Sequence, residues 1–257
     1  MHVQSIASTI SDNFFYLVTD GDDALLVDPI DAKAAIAAVR EVSPKRVRLF
    51  ATHGHPDHVG GNDAVVDALG CEVIGSGHEG DFPFRVDSTV MHGDVITVGT
   101  SRWQIRHAPG HTRAHVVAYC DEGDGALLSG DVYFVGGTGH CRFGGDPPTL
   151  FETVSERLAD IPSSTAFYPG HDYAVKNLEF ALSVEPTNDG AAELLARAKN
   201  HTRAEGPVLT TLGEERAYNP FHRAHEPALW QALAALGDPV SSARDAFLAL
   251  RLRRDTY

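Results

Sequence analysis

The sequence has little that would tie it to a membrane, to nucleic acid or to an oxidising compartment. Its three cysteines, Cys71, Cys120 and Cys141, are odd in number and form no C-x-x-C pair. That argues against a disulfide framework and fits a reducing cytoplasm. No apolar run approaches the roughly 20 residues a membrane span requires. Met1 to Val18 has no basic stretch followed by an apolar one, so no signal peptide is visible. Positive charge is scarce: Lys+Arg number 21 against Asp+Glu 35, a formal net charge of -14, with no Lys/Arg run. Such a chain repels a phosphate backbone, which argues against nucleic acid as a partner. An anionic small molecule would need individually placed Arg or Lys contacts. Internal repeats and low-complexity segments are absent as well, and nothing specifies an oligomeric state. A soluble cytoplasmic protein is the expectation.

What is present is a chain of 257 residues, 43% hydrophobic, enough for one large domain or one domain with an extension. Asn13–Val18 and Ala24–Val27 flank Asp20-Gly21-Asp22-Asp23 and read as a hairpin. Helical spacing runs from Asp31 to Val42, then a strand over Val47–Ala51, a helix over Gly61–Leu69 and a strand over Glu72–Ile74. The stretch 76–90, rich in Gly, Asp and Pro, reads as a surface loop. Val95–Val98, Trp103–Arg106, Val116–Cys120 and Ala126–Leu128 read as strands, Pro148–Asp160 as a helix and Thr165–Tyr168 as a last strand. This interleaving predicts an α/β (α+β) fold, a mixed sheet covered by helices. Beyond Gly170 the pattern is helical only: Ala174–Val184, Ala191–Arg203, Pro227–Ala235 and Ser241–Leu252. A boundary near Ala174 divides a mixed domain, 1–173, from a helical one, 174–257.

The densest chemistry lies in Thr52-His53-Gly54-His55-Pro56-Asp57-His58-Val59-Gly60-Gly61. Imidazole nitrogen suits zinc and iron, and a carboxylate adds the charge compensation that a second cation needs. In a strand-like arc His53 and His55 point the same way, while the adjacent Asp57 and His58 face apart. The two pairs therefore suit two different ions better than one. Three further turns at strand ends each offer one more ligand: His111 in Pro109-Gly110-His111-Thr112, Asp131 in Ser129-Gly130-Asp131, and His171 in Pro169-Gly170-His171. Rigid strand ends fix such side chains. Five histidines and two aspartates suit a pair of metals sharing a carboxylate.

These motifs resemble the metallo-β-lactamase superfamily, whose fold is an αββα sandwich. Pro169–Tyr173, Asn177-Leu178, Val184-Glu185-Pro186, Thr211–Glu215 and Tyr218–Arg223 further resemble the glyoxalase II (hydroxyacylglutathione hydrolase) family. The resemblance spans about Asn13 to Arg223. It implies one metal on His53, His55 and His111, a second on Asp57, His58 and His171, and Asp131 bridging them. Asp57 and Asp131 are then the catalytic carboxylates. The implied cofactors are two divalent ions, zinc first, with iron or manganese as alternatives. The implied reaction is hydrolysis of S-D-lactoylglutathione through a metal-bridging hydroxide; the thiol can leave as thiolate without a protein acid. The implied substrate contacts are Arg142, Phe143, Tyr173 and Arg223. The loop Gly139–Asp146 departs from the family pattern: it is one residue longer and lacks the usual Glu-Gly ending. Ala224–Pro227 replaces a lysine that some members carry.

Rival readings share the fold: a lactonase, a β-lactam or other acyl-thiol hydrolase, a mononuclear-iron persulfide oxygenase, or a metal-binding module without catalysis. His115 suits either a buttress for a ligand or a satisfied core histidine. Asp28 reads as the end of a strand packed behind the metal loop. Cys141 reads as a small buried thiol.

Overall fold

The computed structural model describes residues 1–79 and 84–257. Its frame is two sheets of six strands each, packed face to face. The first holds β1 (His2–Ala7), β2 (Phe14–Asp20), β3 (Asp23–Val27), β4 (Arg46–Phe50), β5 (Glu72–Ser76) and β6 (Ser88–Val90), in that order. β1, β2 and β3 pair antiparallel, and β3 through β6 pair parallel. Helices α1 (Ala32–Val42), α2 (Pro56–Val59) and α3 (Asn62–Leu69) connect the parallel strands, as a parallel pair requires a crossover. The second sheet is built from β7 (Val95–Val98), β8 (Ser101–His107), β9 (Val116–Cys120) and β10 (Ala126–Gly130). After a two-stranded hairpin, β11 (Tyr133–Phe134) and β12 (Gly137–Thr138), it is completed by β13 (Ala166–Pro169) and β14 (Thr210–Thr211). β13 runs parallel to β10.

Period-two alternation sorts the strands into layers. Phe14, Tyr16 and Val18 of β2 face the second sheet and meet Trp103, Ile105, Val116 and Ala118. Phe15 and Leu17 face the other way, onto Ala35, Ala38 and Val39 of α1 and Val65 of α3. The outer face of the second sheet, Val117, Tyr119, Leu127 and Phe167, is covered by helices from the C-terminal part of the chain. These are α4 (Pro147–Glu152), α5 (Ala174–Val184), α6 (Asp189–Lys199), α7 (Leu212–Tyr218), α8 (Pro227–Ala235) and α9 (Ala243–Thr256). The result is the expected αββα sandwich with further helices at its C-terminal end.

Several local expectations are corrected. The helix read over Pro148–Asp160 is α4 followed by a π-helical turn, Thr153–Arg157. The region after residue 174 holds β14, paired to β13 at Ala166 and Phe167, where only helices were read. β1, β6 and the β11–β12 hairpin are too short or too irregular in hydrophobic pattern to read from sequence. Of the surface loop 76–90, Ser88–Val90 pairs with β5, and residues 80–83 lie outside the described residues. Among the described residues no helix is long and apolar enough to cross a membrane.

Candidate metal centre

β8, β10 and β13 run the same way, so the turns after them emerge on one edge of the second sheet. The turn after β4 meets them there, tied across by Val116 N donating to Thr52 O at 2.9 Å. All seven predicted ligands therefore converge. His55 Nδ1 stands 3.2 Å from His53 Nε2 and 3.0 Å from His111 Nε2. His171 Nε2 stands 3.3 Å from both His58 Nε2 and Asp57 Oδ2. Between the two triads, Asp131 places Oδ1 3.2 Å from His58 Nε2, and Oδ2 3.4 Å from both His111 Nε2 and His171 Nε2. Donors about 2.0–2.1 Å from a tetrahedral ion stand about 3.3 Å from one another.

The outer nitrogens decide what the inner ones can be. His171 Nδ1 donates to Asp12 Oδ1 at 2.9 Å, and His58 Nδ1 to Asp28 Oδ2 at 3.1 Å. His111 Nδ1 donates to the His140 carbonyl at 2.6 Å, and His55 Nε2 to the Phe143 carbonyl at 3.0 Å. His53 Nδ1 lies 3.0 Å from Thr52 Oγ1, whose own proton goes to Asp28 Oδ2 at 2.6 Å. With each outer N–H so engaged, a neutral ring turns a bare lone pair inward. Five such lone pairs and a buried carboxylate at 3.0–3.4 Å repel one another unless a cation lies among them. The donor set fits divalent metal ions.

The electrostatics divide the two triads. Burial lowers His53 well below the ordinary histidine range and His111 to about 3, so both are neutral. Burial would lower His58 as well, but Asp131 and Asp28 draw it up to about 10. His171 is likewise raised, by Asp131, Asp12 and Asp57, against its burial. Burial would raise Asp131, yet His171 and His58 hold it well below the usual carboxylate range. The Asp57/His58/His171 side thus gathers positive charge, as protons or as a metal ion.

Several residues outside the ligand motifs also make the site. Asp28, at φ 52, takes a left-handed conformation rare for a non-glycine residue. It accepts from Thr52 N as well as from Thr52 Oγ1 and His58, and so orients two ligand rings at once. Although Asp28 also groups with His53 and His58, its oxygens meet their outer side and are already engaged. Asp12 and Asn13, in the turn between β1 and β2, reach His171 and His58 from sequence positions that carry no motif. His115 proves to be a buttress: its Nε2 accepts the Asp131 N–H at 3.1 Å, and its ring stacks on His53 at 4.8 Å. Cys141 is a buried thiol, pushed up to about 12 by burial.

Beside the Asp12 and His171 side opens a cavity of about 380 Å³. Arg142 and Tyr173 line it, together with Lys176, Arg251, Arg254 and Phe134. Arg251 is committed to the Thr138 and Gly139 carbonyls and to Asp255. Arg254 donates to the Asn177 side-chain oxygen and lies over the Phe180 ring, and among the described residues neither it nor Lys176 makes an ion pair. Phe143, 68% exposed, stands outside this cavity over His55. Arg223 is not brought to the site. Glu185 and Glu226 close on its guanidinium, both with contacts of 2.6 Å, so its charge is neutralised in place.

Two family models match the chain: the metallo-β-lactamase superfamily over residues 11–171, and the hydroxyacylglutathione hydrolase C-terminus over residues 172–257. A hydroxyacylglutathione hydrolase of Anaeromyxobacter dehalogenans is 40% identical over 250 residues, covering 95% of each chain. The cytoplasmic hydroxyacylglutathione hydrolase of Arabidopsis thaliana is 34% identical over 243 residues, 92% of this chain and 93% of that one. Among solved structures, ETHE1 from Myxococcus xanthus shares the fold, with a TM-score of 0.68 at 22% identity, covering 100% of this chain and 99% of that one. TTHA1623 in a di-iron-bound form gives a TM-score of 0.63 at 26% identity, covering 85% of this chain and 99% of that one.

Proposed function

This chain belongs to the hydroxyacylglutathione hydrolase family of the metallo-β-lactamase superfamily, and on that premise we propose that it hydrolyses S-D-lactoylglutathione to glutathione and D-lactate at a centre of two divalent ions. His53, His55 and His111 would hold one ion and Asp57, His58 and His171 the other, with the Asp131 carboxylate shared between them. Zinc suits this N/O set first, and iron or manganese would be accepted by the same donors. Such ions supply Lewis acidity, which lowers the pKa of a bound water and polarises a thioester carbonyl.

The chain's own residues do the rest. Asp28, Asp12, Thr52 and two loop carbonyls fix the ring faces so that their inner nitrogens already converge before a metal binds. Asp57, with its side chain 49% exposed, is the ligand nearest solvent and stands at the mouth of the site. The leaving thiol, with an intrinsic pKa of about 8.5, departs as thiolate, so no protein acid is needed. The carboxylates of glutathione are anions in a chain of net charge -14, and they require cations placed for them. Lys176, Arg254 and Arg142 offer that charge, and Tyr173 closes the wall next to His171 with its ring stacked 4.7 Å away. In this reading residues 1–173 carry the chemistry and residues 174–257 supply most of the carrier's cations. A small anionic thioester, rather than nucleic acid, is the partner, and a reducing cytoplasm suits three buried, unpaired thiols.

The observation that carries the reading is the junction of the seven-donor centre with a basic cavity, joined through Asp12 and Tyr173. A simple lactone carries no carboxylate for such a cavity to hold. Comparing the lactoyl thioester of glutathione with that of N-acetylcysteamine, which lacks the carboxylates, tests it. We expect a KM at least about tenfold higher for the uncharged carrier, with kcat similar. Equal KM values would remove glutathione recognition from the cavity.

A further inference from the structure

Arg203 lies on a short 3-10 turn, Arg203–Glu205, far along the chain from the metal ligands. Its guanidinium nevertheless closes on the N-terminal turn between β1 and β2. Nη1 donates to the Ser8 carbonyl, and Nη2 to the Ser11 and Asn13 carbonyls, all at 2.8 Å. The guanidinium carbon sits 5.3 Å above the Phe14 ring, and Nε faces Asp172 Oδ2 at 3.7 Å. Thr9 and Ile10 of that turn are exposed, so it has little core of its own; Ser8 N closes it onto the Asn13 carbonyl at 3.0 Å, the Ser8 and Ser11 hydroxyls bond within it, and Asp31 holds it through Thr9. Arg203 adds the one cation in this set, and it gathers three of the turn's carbonyls at once.

The same turn carries two side chains into the centre. Asp12 accepts from His171 Nδ1, and Asn13 Nδ2 lies 3.2 Å from His171 Nε2 and 3.4 Å from His58 Nε2. The Asp12 carbonyl also accepts from Asp172 N at 3.0 Å, and Phe14 N donates to Gly170 O at 2.8 Å, so the turn runs beside the His171 ligand. We propose that Arg203 is a positioning residue for the ion held by Asp57, His58 and His171. It fixes the turn so that the half-exposed Asp12 side chain stays on His171 rather than swinging to water. The inference rests on the two-ion reading above. Its effect is one-sided, because the outer contacts of His53, His55 and His111 come from Thr52, Phe143 and His140, none of which touches Arg203.

The test titrates the zinc-loaded protein with a metallochromic chelator and counts the zinc retained at each step. The His171→Ala variant identifies which release step belongs to the ion on that side. In Arg203→Met that step should occur at about tenfold lower chelator concentration while the other stays in place. Equal weakening of both steps, as a general loss of stability would give, or no change in either, overturns the inference. If Arg203→Met does not fold, Arg203→Lys, whose ammonium reaches fewer of the three carbonyls, is judged by the same two outcomes. A wild-type protein that holds a single ion refutes the two-ion reading itself, and the inference falls with it.

Discussion

Asp28 shows how much of the centre depends on side chains that touch no substrate. It holds His58 directly and His53 through Thr52, in a backbone conformation that only a strong set of contacts sustains. Replacing Asp28 by Ala should lower metal affinity roughly 10- to 100-fold, read by competition with a chelator; unchanged affinity would deny it this role. Gly170 makes a steric counterpart: a Cβ there would lie 2.3 Å from Asp131 Oδ1 and 2.7 Å from His58 Cε1. Gly170→Ala should therefore fold with depleted metal, and a full complement of metal would mean that the centre yields more than its packing suggests. The ligands themselves were legible in the sequence because each sits in a short motif of Gly, Pro and His. Asp12 was not, and Asp28 was legible only as packing behind the metal loop, because their bonds to the ligand rings span 159 and 30 residues. The pairing of Arg223 was illegible for the same reason: sequence displays a charge but not the carboxylates, Glu185 and Glu226, that close on it.

At the scale of elements, α7 ties the C-terminal region to the hairpin beside the site. Thr211 and Glu214 form a capping box at its start. The next residue, Glu215, is fully buried and accepts from Gly136 N, Thr210 Oγ1, Tyr218 Oη and Asn219 Nδ2. Burial dominates these donors and raises its carboxyl from 4.5 to about 7. The folded state thus binds this proton more tightly than the unfolded chain does. Its stabilisation is complete below pH 4.5 and is lost as pH rises through about 7, amounting to about 3 kcal/mol at about 1.4 kcal/mol per pH unit. Urea unfolding of metal-free wild type and Glu215→Gln from pH 4.5 to 7.5 should show the stability difference between them shifting by that order. Parallel curves would mean that Glu215 stays ionised throughout. α7 was invisible to periodicity because seven residues with a Gly at the second position carry no apolar stripe. Its capping box was the available signal. The strands and longer helices were legible because doubly apolar strands such as β2 can only lie between two covered faces.

Over the whole molecule the acidic balance sharpens the meaning of each free cation. Lys176 and Arg254 line the cavity with few competing contacts, whereas Arg223 bridges Glu185 and Glu226 at the C-terminal end of α5, opposite the end that follows the ligand turn. Lys176→Ala combined with Arg254→Ala should raise KM for the glutathione thioester about tenfold or more while kcat changes little. Arg223→Ala should leave KM alone and lower stability by on the order of 2 kcal/mol, less than the loss of a fully buried pair. A KM rise confined to Arg223→Ala would return that residue to the substrate site. The division near residue 173 would then be one of labour rather than of separate folding, since helices from the C-terminal part cover the second sheet directly. The central claim is a two-ion thioesterase, and the most direct measurement follows S-D-lactoylglutathione hydrolysis and metal content on one sample through chelation and reconstitution. The account predicts two ions per chain, turnover lost on their removal and regained when they are restored. Turnover that survives complete removal of metal, or its absence in a protein carrying both ions, would contradict it.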